Sequence, residues 1–242
     1  FAFLSIIIKN ICLINQSTYD DVNKFYVEIL DKNGIGILSF SPKEKTISIL
    51  QIADQKDAKN IAKILDVPID GFINIGSQTF QYSNISSSLF HSIFSFNRRE
   101  NLTSLDLLRL SLFAKKIPKS SNFERKYSND YSESQKSTIL TLTFSDPVVF
   151  SENQSVEIIN STEVFGLGGR LANLITNMGG NVILVKSSDK QKKSKLTFFG
   201  KKSYMVEKLG EYLNLPIEQS LKPGVADVII IIGTDSLQNL KF

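Results

Sequence analysis

Residues 155–185 read SVEIINSTEVFGLGGRLANLITNMGGNVILV, and this stretch decides the fold. Val156 to Ile159 reads as a strand. From Gly166 to Met178, Leu167, Leu171, Leu174, Ile175 and Met178 recur at helical spacing, which predicts an amphipathic helix with one apolar stripe. Gly179-Gly180 ends that helix, because glycine enters the left-handed region of a helix C-terminus without steric cost. Val182 to Val185 is a second strand.

Downstream the pattern continues. Leu196 to Phe199 reads as a strand, separated from the previous one by a basic loop holding Lys186, Lys190, Lys192, Lys193 and Lys195, and followed by Lys201-Lys202. Ser203 to Asn214 predicts a second helix with Met205, Val206, Leu209, Tyr212 and Leu213 on one face, stopped by Pro216. Val228 to Ile232 is unbroken aliphatic sequence, as expected of a central strand covered on both faces. The predicted order is β-α-β-β-α-β, with the helices packed on a sheet.

Upstream, the spacing predicts a second small α/β domain over residues 18–115. Lys24 to Leu30 and Ile35 to Phe40 are strands around Asp31-Lys-Asn-Gly34, whose Asn-Gly step favours positive φ. Thr46 to Ile52 and Gly71 to Ile75 are further strands, and Asp57 to Leu65 is a short helix ended by Val67-Pro68. A longer helix opens near Asn101, with Thr103 as its cap and Asp106 suited to its positive end. Leu107, Leu108, Leu110, Leu112 and Phe113 make it apolar around most of its circumference, so burial on several sides is expected. Residues 116–138, polar and serine-rich, read as a flexible linker. A C-terminal domain then spans 139–237, led by a hairpin in which Ile139–Phe144 and Val148–Phe150 flank Asp146-Pro147. The expected class is α/β, in two small domains.

Composition narrows the chemistry. The chain has 242 residues, 42% of them hydrophobic, and a net charge of +4. That excess is too slight for a nucleic-acid surface, and no aromatics interleave the lysines as single-strand binding would need. A single cysteine, Cys12, forbids an internal disulfide or a cysteine metal site. The single histidine, His91, lies between apolar residues and reads as structural. The opening Phe-Ala-Phe-Leu-Ser-Ile-Ile-Ile is broken by Lys9 and Asn10 and is too short to span a bilayer. It reads either as the outer end of a membrane anchor or as an element packed on the domain. Gly166-Leu-Gly168-Gly169 fails the dinucleotide pattern because the third glycine falls on Leu171. The free N–H groups of that helix start still suit a weak anion site.

Five blocks in order resemble the LytR C-terminal domain of bacterial cell-envelope proteins: Val156-Glu-Ile-Ile-Asn160-Ser-Thr162, Gly166-Leu-Gly-Gly-Arg170-Leu-Ala, Gly179-Gly180, Leu196-Thr-Phe-Phe, and Asp227-Val-Ile-Ile-Ile-Ile-Gly233-Thr-Asp235. Ser161 stands where that pattern has glycine. The resemblance implicates Asn160, Thr162, Gly166, Gly168, Arg170 and Asp235 in binding. The basic loop with Lys190, Lys192, Lys193 and Lys195 reads either as a solvated hairpin loop or as a contact for an anionic wall polymer or lipid headgroup. Residues 36–52, 67–73 and 101–110 resemble parts of a LytR-CpsA-Psr catalytic domain in shortened, degenerate form. Enzymes of that family are membrane-anchored and move glycopolymers from a polyprenyl-pyrophosphate carrier to peptidoglycan outside the cell.

One departure governs the functional expectation. Gln51-Ile-Ala-Asp54-Gln replaces the segment where the family carries its pyrophosphate-gripping arginine. The resemblance therefore implies an envelope-associated binding or scaffolding protein on the extracytoplasmic side of a bacterial membrane, without cofactor or transferase activity. Its expected partners are cell-wall polymer or envelope proteins, with membrane attachment through an N-terminal anchor and no nucleic acid. The alternative is a phosphotransferase in which Arg98, Arg99 and Arg109, with Mg²⁺, hold the pyrophosphate.

Overall fold

The computed structural model describes residues 16–52, 61–94 and 98–237. The opening apolar stretch, Cys12, Asp54 and the first part of the expected helix at Asp57 to Leu65 lie outside them. Described residues fall into two compact units, 16–52 with 69–136 and 61–68 with 137–237. Both units are mixed α/β, in agreement with the expected class.

In the first unit, β1 (Phe25–Asp31), β2 (Gly34–Ser41) and β3 (Thr46–Ile52) form an antiparallel meander. β4 (Gly71–Asn74) adds parallel to β1, and β5 (Arg98–Glu100) antiparallel to β4. The sheet order is β5-β4-β1-β2-β3-β6. Its last member, β6 (Asn122–Tyr127), pairs parallel with β3 and lies inside the expected linker. A polar sequence suffices there because an edge strand needs backbone pairing on one side only, and Tyr127 supplies a buried anchor. The meander appears where alternation placed it, since its β-branched and aromatic residues fill both faces.

Among the described residues the short helix α1 is Ile61–Leu65, and it belongs to the second unit. Helices α2 (Ile85–Phe94) and α3 (Ser104–Lys116) cover one face of the first sheet. Val27, Ile29, Leu38, Phe40, Leu107 and Leu110 meet there. Thr103 caps α3 through a full capping box with Asp106. The expectation that α3 is buried on several sides is corrected: Leu108 and Leu112 are exposed, so only the stripe through Leu107, Leu110 and Ser111 faces the core.

Residues 133–152 hold two helices, α4 (Glu133–Phe144) and α5 (Pro147–Glu152), rather than a hairpin. The boundary between units falls within α4. Asp146-Pro147 is a helix start here: the Asp146 carboxylate accepts from the Val148 amide at 3.0 Å, and Pro147 occupies the first turn, where no N–H is needed.

The second sheet runs β10-β9-β11-β7-β8. Its strands are β7 (Ser155–Asn160), β8 (Asn181–Ser187), β9 (Lys195–Phe199), β10 (Ile217–Ser220) and β11 (Val228–Ile232). Its helices are α6 (Leu167–Asn177) and α7 (Tyr204–Leu213). β7 is parallel to both β8 and β11, whereas β9 is antiparallel to β11. β10 is an added edge strand, parallel to β9, that follows Pro216 directly. Helices α5, α6 and α7 bury one face, on Val156, Ile158, Val228, Ile230 and Ile232. The central strand β11 is not covered equally on both faces: Val228, Ile230 and Ile232 are buried, while Ile229 and Ile231 between them are half-buried.

Candidate functional site

The parallel strands β8, β7 and β11 end side by side at Ser187, Asn160 and Ile232. Crevices at the carboxyl ends of parallel strands are where open α/β sheets hold ligands. Three loops gather at this end, and most of the residues singled out by resemblance lie in them.

The loop after β7 is folded by Asn160. Its Oδ1 accepts from the Thr162 amide (3.1 Å) and hydroxyl (2.7 Å), and its Nδ2 donates to the Val164 carbonyl (2.9 Å). Ser161 continues the β11 pairing by donating its amide to the Ile232 carbonyl, and its hydroxyl meets that of Ser188 at 2.7 Å. Asn160 and Thr162 therefore shape the loop and spend their polar atoms inside it.

The loop between β8 and β9 is pinned along its backbone. Gln191 donates to the Ser161 carbonyl and accepts from Thr234, and the Lys192 carbonyl accepts from the Asp235 amide. Asp235 closes the arrangement, accepting from the Ser194 amide (2.9 Å) and hydroxyl (2.5 Å). Of the lysines here, Lys190 pairs with Glu163, Lys195 with Glu218 and Lys186 with Glu157. Lys192 and Lys193 are exposed and make no ion pair among the described residues. A fixed backbone thus presents two uncommitted ammonium groups beside the sheet end.

The remaining predicted residues serve other ends. Gly166 caps α6 in the left-handed region, at φ 78°. Gly168 lets α6 approach the sheet, since a Cβ there would lie 3.0 Å from the Val185 side chain. Arg170 is not part of the loop cluster; its Nε donates to Asp66 Oδ1 at 2.9 Å. Asp66 also accepts from Asn173, and its carbonyl accepts from Asn177, so α6 holds the end of α1 through three side chains.

Arg98, Arg99 and Arg109 do not form a set of free cations. Arg98 pairs with Glu100 at 2.8 Å. Arg99 donates to the Ser92 and Ile93 carbonyls at the end of α2 and to the Ser104 hydroxyl. Arg109 grips Asp21 at 2.7 Å and donates to the Tyr19 carbonyl at 2.6 Å. Each satisfies a local acceptor of the fold. The family-like position of the expected pyrophosphate grip lies just beyond Ile52, outside the described residues. No three His, Cys, Asp or Glu side chains converge on a metal geometry among the described residues, and no helix among them is long and apolar enough to cross a membrane. His91 lies on an exposed position of α2.

A cavity of about 280 Å³ opens in the first unit between Asp31, Asn33, Gln51, Phe80, Tyr82 and Lys126. Asp31 is occupied by the amides of Asn33, Gly34 and Phe80. Burial, then the charges of Asp31 and Glu124, push the Tyr82 phenol above its ordinary range, so it stays a neutral hydrogen-bonding group. This space is smaller than most ligand pockets.

Three buried carboxylates do more in the structure than their place in the sequence indicates. Asp106 gathers residues 17–19 and Thr103 around one carboxylate. Asp66 lies 104 residues from its Arg170 partner, so no local signal marks it. Asp146 accepts from Lys208 Nζ and the Tyr204 hydroxyl, both at 3.0 Å; the Tyr204/Lys208 spacing of one helical turn is the available clue. No protein-family model, curated protein or solved structure matches this chain.

Proposed function

We propose that the chain is a binding or scaffolding protein of the cell envelope that holds an anionic wall polymer and carries out no glycopolymer transfer. The observation behind this reading is the pinned loop 188–194. Its backbone is tied to both neighbouring strand ends, while Lys192 and Lys193 project unpaired. A pinned backbone lowers the ordering cost of meeting a repeating anion, and the contribution of the lysines is electrostatic and salt-sensitive. The envelope setting rests on the resemblance of residues 155–235 to the LytR C-terminal domain. A binding role is supported further by the use of Arg98, Arg99 and Arg109 within the fold, which leaves the phosphotransferase reading without its cations.

Co-sedimentation of the full chain with peptidoglycan sacculi tests the proposal. Sacculi carrying anionic polymer should retain the chain, and sacculi stripped of it should not. At about 1 kcal/mol per surface lysine, Lys192→Glu with Lys193→Glu should weaken retention roughly thirtyfold or more. Retention indifferent to polymer, or to both substitutions, refutes the site. Turnover of a polyprenyl-pyrophosphate glycolipid that Arg109→Ala abolishes would replace binding with transfer.

A further inference from the structure

The segment that follows β11, Gly233 to Asp235, grips the lysine loop 188–194 by its backbone. The Thr234 and Asp235 amides donate to the Gln191 and Lys192 carbonyls, each at 3.0 Å, and the Asp235 carboxylate accepts from the Ser194 amide. The buried Ser194 hydroxyl donates to that carboxylate and accepts from the Gly233 amide at 2.8 Å. Between these ties the two main chains touch. A Cβ on Gly233 would lie 2.7 Å from the Lys193 carbonyl carbon and 2.8 Å from the Lys192 and Lys193 carbonyl oxygens. Those are backbone atoms, so no side-chain rotation can make room. The φ of Gly233 is −102°, which any residue adopts, so contact alone reserves the position for glycine.

Charge adds a second observation. The three loops at this sheet end, 161–166, 188–194 and 233–236, carry Lys190, Lys192 and Lys193 against Glu163, Asp189 and Asp235. Together they are neutral, so no broad positive field gathers anions there. Lys190 is committed to Glu163. A hold on an anion then depends on where Lys192 and Lys193 stand relative to the nearby carboxylates.

We infer that Gly233 and Asp235 are positioning residues of the anion site: they fix the backbone of Lys192 and Lys193, and the site works by the placement of those lysines rather than by its charge. The inference rests on the binding function proposed above. Neither residue attracts an anion itself. Gly233 has no side chain, and the Asp235 carboxylate repels one. Their effect passes through the loop, whose ordering they complete before the anion arrives.

The sign of one substitution separates placement from charge. Asp235→Ala removes a negative charge beside the lysines, so charge alone predicts retention on sacculi tighter by roughly fivefold. Placement predicts the opposite, a loss of at least about threefold, because Ser194 is released and the loop must be ordered on binding. Asp235→Asn keeps the oxygen that accepts from Ser194 and drops the charge, so it should bind at least as well as wild type. Gly233→Ala changes no charge and should lose as much as Asp235→Ala or more.

Co-sedimentation of the full chain with sacculi carrying anionic polymer gives these ratios. Asp235 is exposed, so its replacement leaves the core intact. Unchanged unfolding midpoints, with faster hydrogen exchange confined to residues 191–195 and 233–236, should show that the loop alone is loosened. Tighter binding by Asp235→Ala, or an equal loss in Asp235→Ala and Asp235→Asn, overturns the positioning role. So does wild-type binding by both Asp235→Ala and Gly233→Ala while Lys192→Glu with Lys193→Glu binds poorly; the binding reading then stands without it. Retention indifferent to the lysine pair removes both.

Discussion

Removing the Asp106 carboxylate should release the start of the first unit from α3. Asp106 is fully buried. One of its oxygens accepts from the Ser17 hydroxyl (2.6 Å) and the Thr18 and Tyr19 amides (both 3.0 Å). The other accepts from the Thr103 amide and hydroxyl, both at 2.7 Å. Asp106→Ala leaves three backbone N–H groups without an acceptor and removes half of a capping box. At about 1–1.5 kcal/mol for each lost acceptor, with partial rescue by water, the cost is about 3–5 kcal/mol. Asp106→Asn keeps one acceptor but turns an amide N–H₂ toward a donor, and should cost about half as much.

The pH dependence separates charge from packing. Burial pushes the Asp106 carboxyl up, but the hydrogen bonds from Ser17, Thr103 and Tyr19 outweigh it and hold the group below the ordinary carboxylate range. A depressed native pKa gives stability that is present in full above the unfolded value and lost as pH falls through the native one. The advantage of wild type over Asp106→Asn should thus be constant above about pH 5 and shrink below about pH 4. Denaturant unfolding followed by circular dichroism, with hydrogen exchange of residues 17–30 to assign the transition, measures both. A loss under about 1 kcal/mol for Asp106→Ala, or a gap that does not narrow at low pH, refutes the reasoning.

Glu28 should show the opposite sign. Burial first, then the charge of Glu100, push its carboxyl from 4.5 to about 8, and its Oε1 has no hydrogen-bond partner among the described residues. The native state therefore takes up a proton there. Stability from this group is present below the unfolded pKa and is lost as pH rises toward 8, so Glu28→Gln should melt higher than wild type at pH 9, by roughly 5 °C, and lose that gain near pH 4. In the second unit, Lys208→Met strands the buried Asp146 carboxylate and should cost about 3 kcal/mol. Adding Asp146→Asn, which keeps the helix cap, should recover most of that loss in chemical denaturation; additive losses would show the pair to be uncoupled.

Local chemistry explains which elements the sequence discloses. The α3 cap, the α6 and α7 stripes and the meander each depend on residues within one or two turns of one another, so periodicity finds them. Asp146-Pro147 misleads because the same dipeptide starts turns and helices; what decides is whether the following residues pack, as Val149 does. β6 escapes a sequence reading because its polar residues pair with a strand whose last residue lies 70 positions upstream, a partnership that composition cannot register. At the candidate site, the resemblance marks Asn160, Thr162 and Asp235 in sequence, but that Asn160 and Thr162 fold one loop while Asp235 ties two loops together is visible only in three dimensions. The separation of Lys192 and Lys193 from their ion-paired neighbours is equally hidden, since every lysine in that loop looks alike in sequence.

Segment 61–68 sits in the second unit although the residues on either side of it belong to the first. On a ribosome this imposes an order. Asp66 emerges 104 residues before Arg170, so at 5–20 residues per second it waits roughly 5–20 s for its partner. The first unit can close around its own strands in that time, leaving a loop held open for the helix still to be made. A fragment starting at residue 137 would lack that loop altogether, and Arg170, Asn173 and Asn177 would face water on a surface built to hold a helix end. Severing the chain between the units thus takes three cuts, and nature would have to duplicate or delete them as one piece.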